Sequence, residues 1–67
     1  MTRTHTIKAS HLWPGMILAS RPWSRIYDVR PYGTDKNGEP VIEIVFLYNE
    51  GLTMLASSDI EVLDEFA

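Results

Sequence analysis

The amino-acid sequence predicts an all-β domain of five to six short strands closed into a small barrel. Three observations carry that prediction. Turn-forming residues recur every few positions, at Pro14-Gly15, Pro22, Pro31, Gly33, Asn37-Gly38, Pro40 and Asn49-Glu50-Gly51. The segments between them are short and rich in β-branched and aromatic side chains, and no apolar i, i+3, i+4, i+7 spacing lasts three turns outside Ser58–Phe66. Val41–Tyr48 is apolar on both faces apart from Glu43, whereas a strand in an open one-sided sheet alternates polar with apolar. Closure, or coverage of one face by a second copy, accounts for such a strand, and closure also removes exposed edges.

The elements follow in order. Thr4–Ala9 alternates and reads as a first strand, and Ser10–Trp13 leads into a Pro14-Gly15 turn. Glycine at the second central position suits type II, which needs φ > 0 there. Met16–Ala19 reads as a short buried strand, Ser20-Arg21-Pro22 as a loop, and Trp23–Tyr32 as a longer strand that Pro31 places at an edge. Gly33–Glu39 is a hairpin tip in which Asn37-Gly38 predicts a type I′ turn. Val41–Tyr48 is the strongest strand, and Asn49-Glu50-Gly51 turns it tightly into Leu52–Ala56. Ser57-Ser58-Asp59 is a turn, with Ile60–Leu63 as the closing strand. Ser58 followed by Glu61 also matches a helix-capping pattern, so a C-terminal helix over Ser58–Phe66 is the competing expectation. This many strands in 67 residues make one domain over 1–67, and an SH3-like barrel is the most economical architecture.

A chain this short buries only about 60% of the surface it exposes when unfolded, so its core is small. It has no cysteine, which excludes disulfides, thiolate metal sites and a cysteine nucleophile. Its longest apolar run, Ile44–Tyr48, is far too short to span a membrane. The first residues, Met-Thr-Arg-Thr-His-Thr, hold no apolar signal core, so a cytoplasmic location is expected. The net charge of −3 is unevenly distributed. All six bases precede position 37 with only Asp28 and Asp35 among them (+6 − 2 = +4), and the seven remaining acids follow with no base (−7). Such a split gives either opposed surface patches, able to drive head-to-tail association, or cross-strand ion pairs that cancel.

Ile7-Lys-Ala-Ser-His-Leu-Trp-Pro-Gly-Met-Ile-Leu, then Asp35-Lys-Asn-Gly, then Ser58-Asp-Ile-Glu-Val-Leu resembles small SH3-like barrel proteins of actinobacteria and their phages. Those proteins open with a strand, a small polar residue, Leu-x-Pro-Gly and an apolar strand. Met16 stands where that phrase usually carries an acid. The resemblance implies the fold and a phage or mobile-element origin. Its motifs are turns, which carry no activity.

Catalytic material is sparse. His5 and His11 would need Asp28 or Glu43 brought to them to hold a metal. Ser10-His11 are neighbours in sequence, which does not set an imidazole on a hydroxyl, and no Gly-x-Ser-x-Gly elbow is present. Asp35–Glu39 lacks the ligand spacing of a calcium loop. No phosphate loop or Gly-x-Gly-x-x-Gly occurs. The expectation is a protein that is not an enzyme, with no catalytic residues, cofactor, metal or small-molecule substrate.

Binding is better supplied. Trp13, Arg21, Trp23, Arg25, Tyr27 and Arg30, with Tyr32 beyond them, interleave bases and rings over twenty positions. Strand alternation puts Trp23, Arg25 and Tyr27 on one face and Ser24, Ile26 and Asp28 on the other. Facing solvent, the first set is a contact surface in which arginine gives charge and planar hydrogen bonding and the rings give apolar area. Facing inward, Trp23 and Tyr27 would instead supply the core that a small domain needs. The function expected is a protein-interaction module or accessory protein that binds a protein partner or itself. Nucleic-acid binding through the same residues, with bases stacked on rings, is the alternative. Inhibition of a host nucleic-acid enzyme by the acidic half is a third.

Overall fold

The computed structural model describes residues 3–64, with Asn49 described through its backbone. Five strands form among these residues: β1 (Thr4–Lys8), β2 (Ile26–Thr34), β3 (Pro40–Phe46), β4 (Gly51–Leu55) and β5 (Asp59–Leu63). β1 pairs antiparallel with β5, and β2, β3 and β4 form an antiparallel meander. Two single 3-10 turns, Ala9–His11 and Leu47–Asn49, complete the regular structure. The C-terminal helix expectation is overturned over the described residues. Asp59–Leu63 pairs along the whole of β1, with Val62 buried and Glu61 exposed in strand alternation. The rest of that candidate helix, Glu65 and Phe66, lies outside the described residues.

The chain is mostly β, but among the described residues the two sheets do not close into a barrel and no sixth strand forms. Met16–Ala19, expected as a strand, makes two isolated bridges, Ile17 with Arg25 and Leu18 with Val62. It lies between the sheets. On one side the Ile26 N–H donates to the Met16 carbonyl at 2.8 Å, and on the other the Leu63 N–H donates to the Ile17 carbonyl at 2.9 Å. Turns at Pro14-Gly15 and Ala19-Ser20 bracket the segment, so it is too short to extend a ladder in either direction. At the opposite flank, single bonds from Ser10 N–H to the Ala56 carbonyl (2.9 Å) and from Ala9 N–H to the Ser58 carbonyl (2.8 Å) take the place of a ladder.

The core consists of Ala9, Leu12, Leu18, Ile26, Ile44, Phe46 and Val62, with Ile7, Met16, Val29, Ile42, Met54 and Ile60 packed around it. Alternation along β3 turns Ile42, Ile44 and Phe46 inward. Val41, Glu43 and Val45 on its other face are half-buried, so an apolar pattern on both faces did not require closure. From Arg30 to Pro40 every residue but Asp35 is exposed, so the β2–β3 hairpin runs out beyond the core. The radius of gyration is accordingly 12.0 Å, against about 11 Å for a chain of this length.

The turns follow side-chain chemistry. Gly15 has φ 99° and the Met16 N–H reaches the Trp13 carbonyl at 3.3 Å, as a type II turn requires. The β2–β3 turn is not type I′. Within Asp35–Gly38 only Gly38 takes positive φ (79°), its N–H donates to the Asp35 carbonyl at 3.0 Å, and the Asp35 N–H donates to the Glu39 carbonyl at 2.9 Å. That is a type I turn with a glycine bulge. The Asp35 carboxylate selects it by accepting from the Asn37 and Glu39 N–H groups at 2.8 and 2.9 Å.

Candidate binding groove

β2 begins later than its composition predicts. The Ser24 N–H donates to the Arg21 carbonyl at 3.1 Å, which makes Arg21–Ser24 a turn and leaves Trp23 outside the strand. Within β2, Ile26 opposes Phe46 while Asp28 opposes Val45, so Tyr27 is the extra residue of a bulge. The single face expected for Trp23, Arg25 and Tyr27 is therefore a turn, a bridge and a bulge. All three residues are exposed nonetheless. Placing Trp23 and Tyr27 in the core is also overturned. Five of the six aromatic residues among the described ones (Trp13, Trp23, Tyr27, Tyr32 and Tyr48) are at least 60% exposed, and only Phe46 is buried.

The β3–β4 connection supplies what sequence reasoning missed. Its turn is Leu47–Asn49, two residues before the expected position, closed by the Phe46 N–H donating to the Glu50 carbonyl at 2.8 Å. Gly51 needs no special conformation and is simply the first residue of β4. The left-handed position falls on Tyr48, with φ 65° and ψ 30°, the one non-glycine residue with positive φ among those described. Tyr48 is 93% exposed, so no burial of its ring offsets the backbone strain.

Trp23, Ser24 and Arg25 from one turn and Leu47, Tyr48 and Glu50 from the other line an open groove of about 300 Å³. Arg21 holds the two walls together. Its guanidinium lies 4.5 Å from the Phe46 ring centroid and 5.9 Å from that of Trp23, and it forms an ion pair with Glu50. It is thus stacked on the core edge beneath the groove, where cation–π attraction is strongest. Its Nε is buried with no hydrogen-bond partner among the described residues.

The other sequence candidates lie outside this lining. Trp13 is exposed on the Pro14-Gly15 turn, which is tied to the start of β2 by Arg25 Nη1 donating to the Gly15 carbonyl at 2.9 Å. Arg30 lies opposite Glu43 in the ladder and pairs with Asp28 at 3.1 Å. Tyr27 and Tyr32 are exposed along β2.

Charges meet across the fold. Lys8 pairs with Asp59 at 2.7 Å, His5 with Asp64 and Arg21 with Glu50. Each of these pairs joins the basic half of the sequence to the acidic half. His5 lies in β1, and His11 ends the first 3-10 turn. Among the described residues no cluster of three or more His, Cys, Asp or Glu is placed to hold a metal ion, and no helix is long and apolar enough to cross a membrane. No family model, curated protein or solved structure matches the chain.

Proposed function

We propose that the protein is a non-catalytic interaction module that takes an apolar side chain of a partner protein between Trp23 and the Leu47-Tyr48 turn. The observation that carries this reading is Tyr48, a nearly fully exposed ring held in a strained backbone conformation beside an exposed tryptophan. A domain that among its described residues buries seven core side chains and leaves five rings in solvent gains little stability from the placement of those rings. Aromatic side chains around a concave surface are the usual anchors of protein interfaces. The two sheets linked through Met16–Ala19 are read as an opened SH3-like arrangement, in keeping with the small phage and actinobacterial proteins that the sequence resembles. A cytoplasmic location belongs to the same reading.

The nucleic-acid alternative draws less support, because Arg21 and Arg30 already face carboxylates and the chain is acidic overall. Inhibition through the acidic half is weakened by the same pairing of Asp59, Asp64 and Glu50 with bases. The test is a displayed-peptide selection on the wild-type domain, counter-selected on a folded Trp23→Ala/Tyr48→Ala variant. Peptides enriched only on the wild type, and sharing an apolar anchor, support the groove. No differential enrichment, together with salt-sensitive tryptophan quenching by single-stranded oligonucleotides, would hand the surface to nucleic acid instead.

A further inference from the structure

The groove occupies one end of the molecule, and β4 presents a second surface independent of it. Among the described residues, β4 pairs in a ladder with β3 on one side only. The Phe46 N–H donates to the Glu50 carbonyl and the Ala56 N–H to the Pro40 carbonyl, at 2.8 and 2.9 Å. In an antiparallel ladder this phase turns the backbone groups of the even-numbered β4 residues toward β3. Gly51, Thr53 and Leu55 therefore aim their N–H and C=O groups at the open edge, where the Leu55 carbonyl also accepts the Ser58 N–H at 3.0 Å.

Exposed edges are ordinarily guarded by charge, proline or a bulge. β2 carries Asp28, Arg30, Pro31 and two register shifts, and β1 carries Lys8 in an ion pair with Asp59 and His5 against Asp64. β4, Gly-Leu-Thr-Met-Leu, carries none of these and its ladder with β3 is regular.

We infer that β4 pairs antiparallel with β4 of a second copy about a two-fold axis at Thr53, joining the two three-stranded sheets into one sheet of six strands. The sequence is self-complementary in that register. Thr53 meets Thr53 of the partner subunit, a favourable cross-strand pair, and the small Gly51 lies opposite the large Leu55 of the partner subunit. Leu52, 38% exposed, comes against Met54 of the partner subunit on the inner face. No like charges are brought together. Glu43, opposite Thr53 in β3, lies three strand spacings from its symmetry mate, about 14 Å and beyond the screening length at physiological salt.

The experiment is sedimentation equilibrium of the wild type and a Thr53→Lys variant, with oxidative cross-linking of Thr53→Cys in this otherwise cysteine-free chain. The wild type is expected to dimerise below about 1 mM. Thr53→Lys places two ammonium groups directly opposite each other across the axis, while within its own chain the lysine faces Glu43. It should stay folded by circular dichroism and weaken the dimer about tenfold or more. Thr53→Cys should form a disulfide-linked dimer, since axial residues of a hydrogen-bonded pair lie about 5.5 Å apart at Cα. Cysteine at Met54, off the axis, should not. A wild type that is monomeric up to about 1 mM overturns the inference. So does a folded Thr53→Lys variant that dimerises unchanged, or equal cross-linking from positions 53 and 54. None of these outcomes bears on the groove, whose residues lie outside β4.

Discussion

Replacing Tyr48 with glycine should stabilise the fold while removing a wall of the groove. A left-handed backbone costs an L-residue about 1–2 kcal/mol, and glycine has no such cost. Against that gain stands glycine's greater freedom in the unfolded chain, about 0.5–1 kcal/mol. The ring is 93% exposed, so its removal sacrifices almost no buried area. The net expectation is about 0.5–1 kcal/mol of stabilisation, or about 3–6 °C in Tm for a domain of this size. Tyr48→Ala is the control, because it deletes the same ring and keeps the strained conformation. Its Tm should stay within about 2 °C of wild type. Thermal unfolding followed by circular dichroism, checked against calorimetry for two-state behaviour, reads both values. A glycine variant that melts at or below wild type would refute the reasoning. So would an alanine variant that gains as much as glycine, since the effect would then belong to the ring and not to the backbone.

Two further predictions concern the neighbouring features. Trp23→Ala should leave the domain folded and cost less than about 1 kcal/mol, because the 5.9 Å approach of Arg21 to an exposed ring is the interaction it removes. Selected ligands should bind it at least about tenfold more weakly, and loss of the cooperative melt would instead make Trp23 structural. Asp35→Ala removes the acceptor of two backbone N–H bonds at the hairpin tip. It should destabilise by about 1 kcal/mol, speed hydrogen exchange at Asn37 and Glu39, and leave the groove's ligands untouched. Asp35→Asn retains a carbonyl acceptor and should recover most of the loss, and an Asp35→Ala variant as stable as wild type would contradict the capping role.

The strands were legible because each of the five carries a local signal that packing did not override. Val41–Tyr48 announced β3, and the Pro14-Gly15 and Asn37-Gly38 pairs marked two of the turns. What misled was chemistry outside the pattern. Asn37-Gly38 predicts a type I′ turn, but the Asp35 carboxylate two residues earlier offers the turn its own hydrogen bonds and a different geometry. Asn49-Glu50-Gly51 has the composition of a turn, yet closing Phe46 against Glu50 puts the bend at Leu47–Asn49. That shift took Tyr48 out of the strand and hid half of the groove from sequence reasoning. Trp23, Arg25 and Tyr27 do reach solvent, but not by the alternation that grouped them, since one lies in a turn and another on a bulge.

The same displacement explains how so small a core can hold a functional surface. A domain of this size has few side chains to spare, and that scarcity favours Trp23 and Tyr27 inside. The core meets the constraint in another way. Among the described residues it is aliphatic around one ring, Phe46, over which the Arg21 guanidinium lies at 4.5 Å. Arginine suits this position because its planar, weakly hydrated head stacks on a ring while its N–H groups stay available to Glu50. One side chain therefore closes the core and joins the two turns that line the groove. Tryptophan in that place would bury more area, but it would leave Glu50 unpaired and break the link to the Leu47–Asn49 turn. The rings are outside because an arginine, tied to a carboxylate of the opposite charge half, does at the core edge what a ring would otherwise do.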